Sequence, residues 1–164
     1  KIVVLGGDTG SSAQLGRSKA IEDGAKENGW EIVFNQNMKG WDENLAKQAV
    51  ADLIAAGTDF NVIYAENDNM ARGACDAMSA AGITYGKNGK VKVIAFDANK
   101  WALEKVLAGE FNLDVECNPL HGPRIVDVIK KLEAGESVEK NVYVQEEVFD
   151  CDTITREIVD ARPY

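Results

Sequence analysis

Four short apolar runs, Ile2–Leu5, Ile32–Phe34, Val62–Tyr64 and Val91–Phe96, recur about every 30 residues, the length of one strand-plus-helix unit. Between the runs the period changes. Leu45, Ala46, Ala49, Val50, Leu53 and Ile54 recur at three and four, one apolar stripe of a helix that Gly57 ends. Met70, Ala71, Ala74, Ala77, Met78 and Ala81 do the same up to Gly82. Ser11 to Asn28 predicts a third, less regular helix, and Trp101 to Leu107 a fourth, stopped by Gly109. Strands alternating with helices imply an open parallel sheet covered on both faces and joined by right-handed crossovers. The predicted fold class is α/β, in three layers.

The pattern changes after Asn112–Cys117. Pro119 interrupts the chain, and Ile125, Val126, Val128, Ile129 and Leu132 predict one more helix, closed by Gly135. Val142–Val148 alternates as a last strand, and a polar tail runs on to Tyr164. A length of 164 residues suits one core.

Acidic residues outnumber basic ones, 27 to 18, for a formal charge of −9. That balance argues against nucleic acid or an anionic membrane surface as the main partner. No apolar run approaches the ~20 residues that span a bilayer. The chain opens as KIVVLGG, inside a strand and without an initiator Met, as expected of a piece of something longer. Cys75, Cys117 and Cys151 form no CxxC and no even set, so a disulfide framework is not expected. Cys75 and Cys117 read as small buried hydrophobes. His121 is the single histidine, too few ligands for a common Zn site. No cofactor or metal is expected.

Ligands of open α/β sheets bind beyond the carboxyl ends of the strands. The residues just after each run are Gly6–Ser12, Gln36–Asp42, Glu66–Asn69, Asp97–Lys100 and Glu116–Asn118, with Arg17 further along the first helix. They are rich in Asp, Asn, Gln and Glu. Planar side chains with two polar atoms bridge adjacent hydroxyls, so this rim suits a sugar. Helix capping competes as an explanation, above all for Asp42 and Asp68. Nucleotide motifs are missing: GGDTGSS is neither GxGxxG nor a P-loop. Cys117 and His121 are separated by Pro119 and need not share a face as a nucleophile–base pair.

The stretches VVLGGDTGSSAQLGRSKA, VIYAENDNMARGACDAMSAAG, VKVIAFDA, ALEKVLAGEF, VECNPLHGP and KKLEAGESVEKN carry a pattern. Through them the chain resembles the C-terminal lobe of type I periplasmic sugar-binding proteins, the receptors of ABC importers. The Glu116–Cys117–Asn118–Pro119 wording and the closing Asp160, Ala161, Arg162 and Tyr164 are most similar to the galactofuranose-binding branch. The resemblance implies a Rossmann/flavodoxin-like lobe. It implies sugar-hydroxyl contacts from Arg17, Asn67 and Asp97. Ribose-binding relatives have a glutamine where Cys117 stands here, so the last contact is assigned to Glu116.

It also implies a second lobe, joined through a hinge, that would close on a monosaccharide. Residues 1–116 would be the sugar-binding lobe, and 117–164 the hinge, crossover helix, last strand and tail. An ABC permease would be the partner, at a periplasmic or, in a Gram-positive, lipid-anchored extracellular location. No reaction would be catalysed. The helix after Pro119 would pack on the second lobe; without it, a homodimer of this chain, or an irregular placement of the helix in a monomer, is expected. The competing function is the effector-binding domain of a lac-repressor-like regulator, though Ala98 stands where those proteins have a second aspartate. An enzyme on the same fold is a third, unsupported by any motif.

Overall fold

The computed structural model describes all 164 residues. In chain order the elements are β1 (Ile2–Gly6), α1 (Ser12–Asn28), β2 (Ile32–Asn37), α2 (Glu43–Ala55), β3 (Val62–Ala65), α3 (Asp68–Ala80), β4 (Lys92–Asp97), α4 (Lys100–Leu107), β5 (Leu113–Glu116), α5 (Gly122–Glu133), β6 (Val148–Asp150) and α6 (Arg156–Ala161). One sheet holds all six strands in the order β2-β1-β3-β4-β5-β6. The order reverses at β1, where neighbouring strands diverge to opposite sides; this is the doubly wound switch point.

Every residue of β1 is buried, as its central place between β2 and β3 requires. Side chains of α2, α3, α4 and α6 share one core with Val3, Leu5, Ile63, Val93 and Ala95 on one face of the sheet. The opposite face carries a small cluster of Ile2, Val4, Ile21 and Tyr64 under α1. Ile32, Val62, Ile94 and Phe96 on that face are only partly buried, so the second helical layer is thin. Within the first layer α3 is packed against α2 through small residues. A side chain at Gly73 would meet the Glu43 carbonyl oxygen at 2.2 Å, so glycine sets how closely the two helices approach.

Local signals set the helix ends. Ser11 caps α1, accepting a bond from the Gln14 N–H at 3.2 Å, and Gly29 closes it in the left-handed conformation. Asp42 caps α2 through the Leu45 N–H at 2.8 Å. Asn67, rather than Asp68, caps α3 through the Met70 N–H.

The last third departs from expectation. The sheet is parallel through five strands, but β6 runs antiparallel to β5. The strand expected at Val142–Val148 starts only at Val148. Its sole neighbour, β5, ends at Glu116, so residues ahead of Glu147 have no strand edge to bond. The polar tail folds back on the domain: α6 packs on α4, and Val159 is fully buried. Cys75 is buried, but Cys117 is exposed, because it lies beyond the end of β5. Helix α5 has no buried residue, and Ile125, Val126, Ile129 and Leu132 are each about half exposed.

Candidate functional site

Arg17 lies in α1, and its side chain crosses the carboxyl edge of the sheet. Its Nη1 donates to the Glu66 carbonyl at the end of β3. Its Nη2 donates to Asp97 Oδ1 at the end of β4, at 3.2 Å. The guanidinium lies 4.8 Å from the Phe96 ring centroid and 5.7 Å from that of Trp41, which flank it with electron-rich faces. The Arg17 side chain is 12% exposed and that of Asp97 33%. The second Asp97 oxygen accepts from no group in the chain and is open to the edge.

A buried carboxylate fastens the turn of α1 next to Arg17. Glu66 is fully buried. Its Oε2 accepts from the Gly7 N–H at 2.8 Å and its Oε1 from the Ser18 hydroxyl at 2.5 Å. Gln14 donates in turn to Ser18. One side chain thus ties the β1 turn, α1 and β3 together. Burial raises the Glu66 pKa, opposed by Ser18, Gly7 and Arg17. Tyr64 donates to the Arg17 carbonyl at 2.9 Å and packs edge-on against Phe96.

Asp97 and Ala98 both have positive φ, 108° and 55°, a region that side-chain-bearing residues rarely occupy. The turn aims Asp97 back at Arg17. Burial raises the Asp97 pKa, and Arg17 opposes the rise. Asn67 spends its Oδ1 on capping α3. Its Nδ2 donates to nothing in the chain, which leaves an amide NH2 without a protein acceptor beside Glu66. Asp68 is buried behind the edge and accepts two bonds from Asn99, each of 2.9 Å.

Glu116 reaches the same edge, in register with Asp97, but its carboxylate serves the chain itself. Oε1 accepts from Arg162 at 2.5 Å, Tyr164 at 2.6 Å and Asn118 at 3.2 Å; Oε2 accepts from the Glu147 N–H at 3.0 Å. Burial works against ionisation, yet the bonds from Tyr164, Arg162 and Glu147 outweigh it and hold Glu116 below the usual range. The structure therefore brings Arg17 and Asp97 together beside Asn67, and turns Glu116 toward the tail. The Cys117 N–H donates to the Asp97 carbonyl at 3.3 Å.

Trp41 is a site residue that no sequence motif marks. It sits after β2, within the otherwise mostly polar Gln36–Asp42 rim. A Cβ on Gly7 would lie 2.1 Å from its ring, so glycine at that turn leaves room for an aromatic beside Arg17. The edge thus offers a cation, an open carboxylate oxygen, an amide donor and flat apolar rings. Such a set recognises adjacent hydroxyls on one side and C–H surface on the other.

Comparison with known proteins points the same way. The family described as "Periplasmic binding protein domain" matches residues 1–135. The fructose import binding protein FruE of Bifidobacterium longum is 32% identical over 121 residues, 73% of this chain and 36% of that protein. The ribose import binding protein RbsB of Haemophilus influenzae is 28% identical over 150 residues, 91% of this chain and 49% of that protein. A crystal structure from Mycobacterium smegmatis, in complex with β-D-fucofuranose, superposes with a TM-score of 0.83 at 34% identity. It covers 92% of this chain and 49% of the other. The chain thus spans about half the length, or less, of the proteins it matches. Its doubly wound lobe, its Arg17–Asp97 edge and a family match over most of its length agree: the chain belongs to the periplasmic binding protein family.

Proposed function

We propose that this chain is one lobe of a two-lobed receptor that binds a monosaccharide and delivers it to an ABC permease. The observation that carries the reading is the Arg17–Asp97 pair at 3.2 Å, half open at the sheet edge and flanked by Trp41, Phe96 and the Asn67 amide. Arg17 and the Asn67 amide donate to sugar hydroxyls, Asp97 accepts from them, and Trp41 lies against ring C–H groups. Glu116 acts indirectly, by fastening the hinge strands to the tail. Residues 1–116 form the sugar-binding lobe; 117–164 supply the hinge, α5, β6 and tail. The apolar stripe of α5 faces the second lobe, and hinge closure buries the sugar between the two. Binding selects the closed form, which the permease senses; no bond of the sugar is broken. The setting is periplasmic or, with a lipid anchor, extracellular.

The sugar class proposed is a furanose of the galactose series. D-Fucose is 6-deoxygalactose, so the ligand in the M. smegmatis neighbour presents nearly the hydroxyl pattern of galactofuranose. Calorimetric titration of the two-lobed protein against galactofuranose, ribose, fructose and glucose tests both levels. Tight binding to a furanose supports the reading; binding only to a pyranose overturns the sugar class. Failure to bind any monosaccharide overturns the function.

A further inference from the structure

Directly behind the 97–99 turn two buried carboxyl groups lie together. Asp68 opens α3 and is 1% exposed; Asp114 lies in β5 and is fully buried. Asp68 Oδ2 accepts from the backbone and side-chain nitrogens of Asn99, each at 2.9 Å. Asp114 Oδ1 accepts from the Ala98 N–H at 3.2 Å. Their other oxygens, Asp68 Oδ1 and Asp114 Oδ2, have no donor at all, and they are the only two such buried side-chain atoms in the chain. The donors to the two carboxyls come from adjacent residues of one turn, Ala98 and Asn99, which places the two side chains side by side behind it.

No cation pairs with either aspartate. Arg72, one turn along α3, has its ion pair with Glu43. Arg17 on α1 faces Asp97, and Asp97 on β4 adds repulsion to both buried groups. Two adjacent carboxylates in a dry site without a cation cannot both stay ionised. One proton between Oδ1 of Asp68 and Oδ2 of Asp114 supplies the donor that both orphaned oxygens lack. The remaining negative charge rests on three N–H groups, all from Ala98 and Asn99. These are the residues that follow Asp97 through its two positive-φ positions.

We propose that Asp68 and Asp114 share one proton and act as a positioning pair, clamping the Asp97–Asn99 turn so that the Asp97 carboxylate faces Arg17. The pair's value for ligand binding rests on the sugar reading above; the shared proton does not. Burial and mutual repulsion both work to keep the proton bound above the usual carboxylate range. The native chain then holds one proton more than the unfolded chain from that range upward. Stability is therefore greatest at the acid side of this window and falls as pH rises, until the native pair also ionises.

Carboxyl-carbon NMR of the 164-residue chain, free of sugar, from about pH 4 to about pH 10 tests this. The Asp68 and Asp114 carbons are expected to move together in a step above the carboxylate range. The amide signals of Ala98 and Asn99 should shift with the same midpoint. In Asp114→Asn the side-chain amide donates to Asp68 in the proton's place. That variant should lose the step while keeping the Ala98 and Asn99 signals at their low-pH positions. In urea titrations the wild-type folding constant should fall by up to tenfold per pH unit across the window, and that of Asp114→Asn should not. Two independent steps in the ordinary range, or the same pH slope in Asp114→Asn, would overturn the proposal. If Asp114→Asn does not fold, the wild-type titration decides alone. Sugar enters no arm, so a failure here leaves the sugar reading standing, and the reverse also holds.

Discussion

Arg17 and Asp97 are eighty residues apart in the chain and 3.2 Å apart in the fold. The contact exists because β1, β3 and β4 are neighbours in the sheet. Their carboxyl ends therefore form one continuous edge, over which α1 passes. The pair is incomplete as an ion pair: one bond is made, and one carboxylate oxygen is left facing out.

Removing that acceptor tests the site. In the two-lobed protein, Asp97→Ala should weaken sugar binding by roughly 30- to 150-fold, about 2–3 kcal/mol for a lost charged hydrogen-bond partner. Isothermal titration calorimetry measures it. Unchanged affinity would move the site elsewhere.

One wall should not suffice. Closed sugar sites gain affinity by burying most of the ligand, and on this lobe alone the polar edge stays hydrated. The 164-residue chain should show no heat of binding with micromolar sugar. Micromolar affinity from a monomer of this chain would contradict the two-wall mechanism.

The Glu116–Arg162 pair makes a stability prediction. Both side chains are nearly inaccessible, and the Arg162 guanidinium lies 4.8 Å from the Phe149 ring centroid. Arg162→Leu leaves a buried carboxylate without its cation and should cost about 3–5 kcal/mol, read from urea unfolding. The native Glu116 pKa is depressed, so the pair's contribution is complete above the ordinary glutamate range. It is lost as pH falls through the native value. Acid should therefore release the tail first, seen as early exchange of the β6 and α6 amides. Release at alkaline pH instead would contradict the assignment.

The stripe of Ile125, Val126, Ile129 and Leu132 is exposed in the single chain. Each such side chain is worth roughly 1.5–3 kcal/mol when fully buried. In the absence of a second lobe, two copies should pair through α5, and light scattering at high micromolar concentration should give a dimer. Replacing Ile125 and Ile129 with Lys should return a monomer. A wild-type monomer at all concentrations would show that the stripe tolerates water.

Much of the fold was legible locally. The strand–helix alternation, the Asp42 cap, and the glycines after α2 and α3 are short-range signals, so they survive in the linear chain. The edge was legible too, because parallel connections force the residues after each strand to one end. Trp41 is not legible there because its role depends on Gly7, in the turn after a different strand. Residues 142–147 alternate like a strand, but a strand needs a partner, and β5 is too short to provide one.

Sequence by itself therefore determined the class of fold, the parallel order of its βα units and the end of the sheet where Arg17, Asn67 and Asp97 gather. Those features follow from period, capping and chirality, which act within a few tens of residues. Only the tertiary structure decided that Glu116 binds Arg162 and Tyr164, and that Asp68 and Asp114 are buried behind one turn, each with an unpartnered oxygen. Such choices depend on which buried charges have a partner within hydrogen-bonding reach once the chain is packed. A carboxylate has the same letter in the sequence whether it meets a cation, a proton or a sugar.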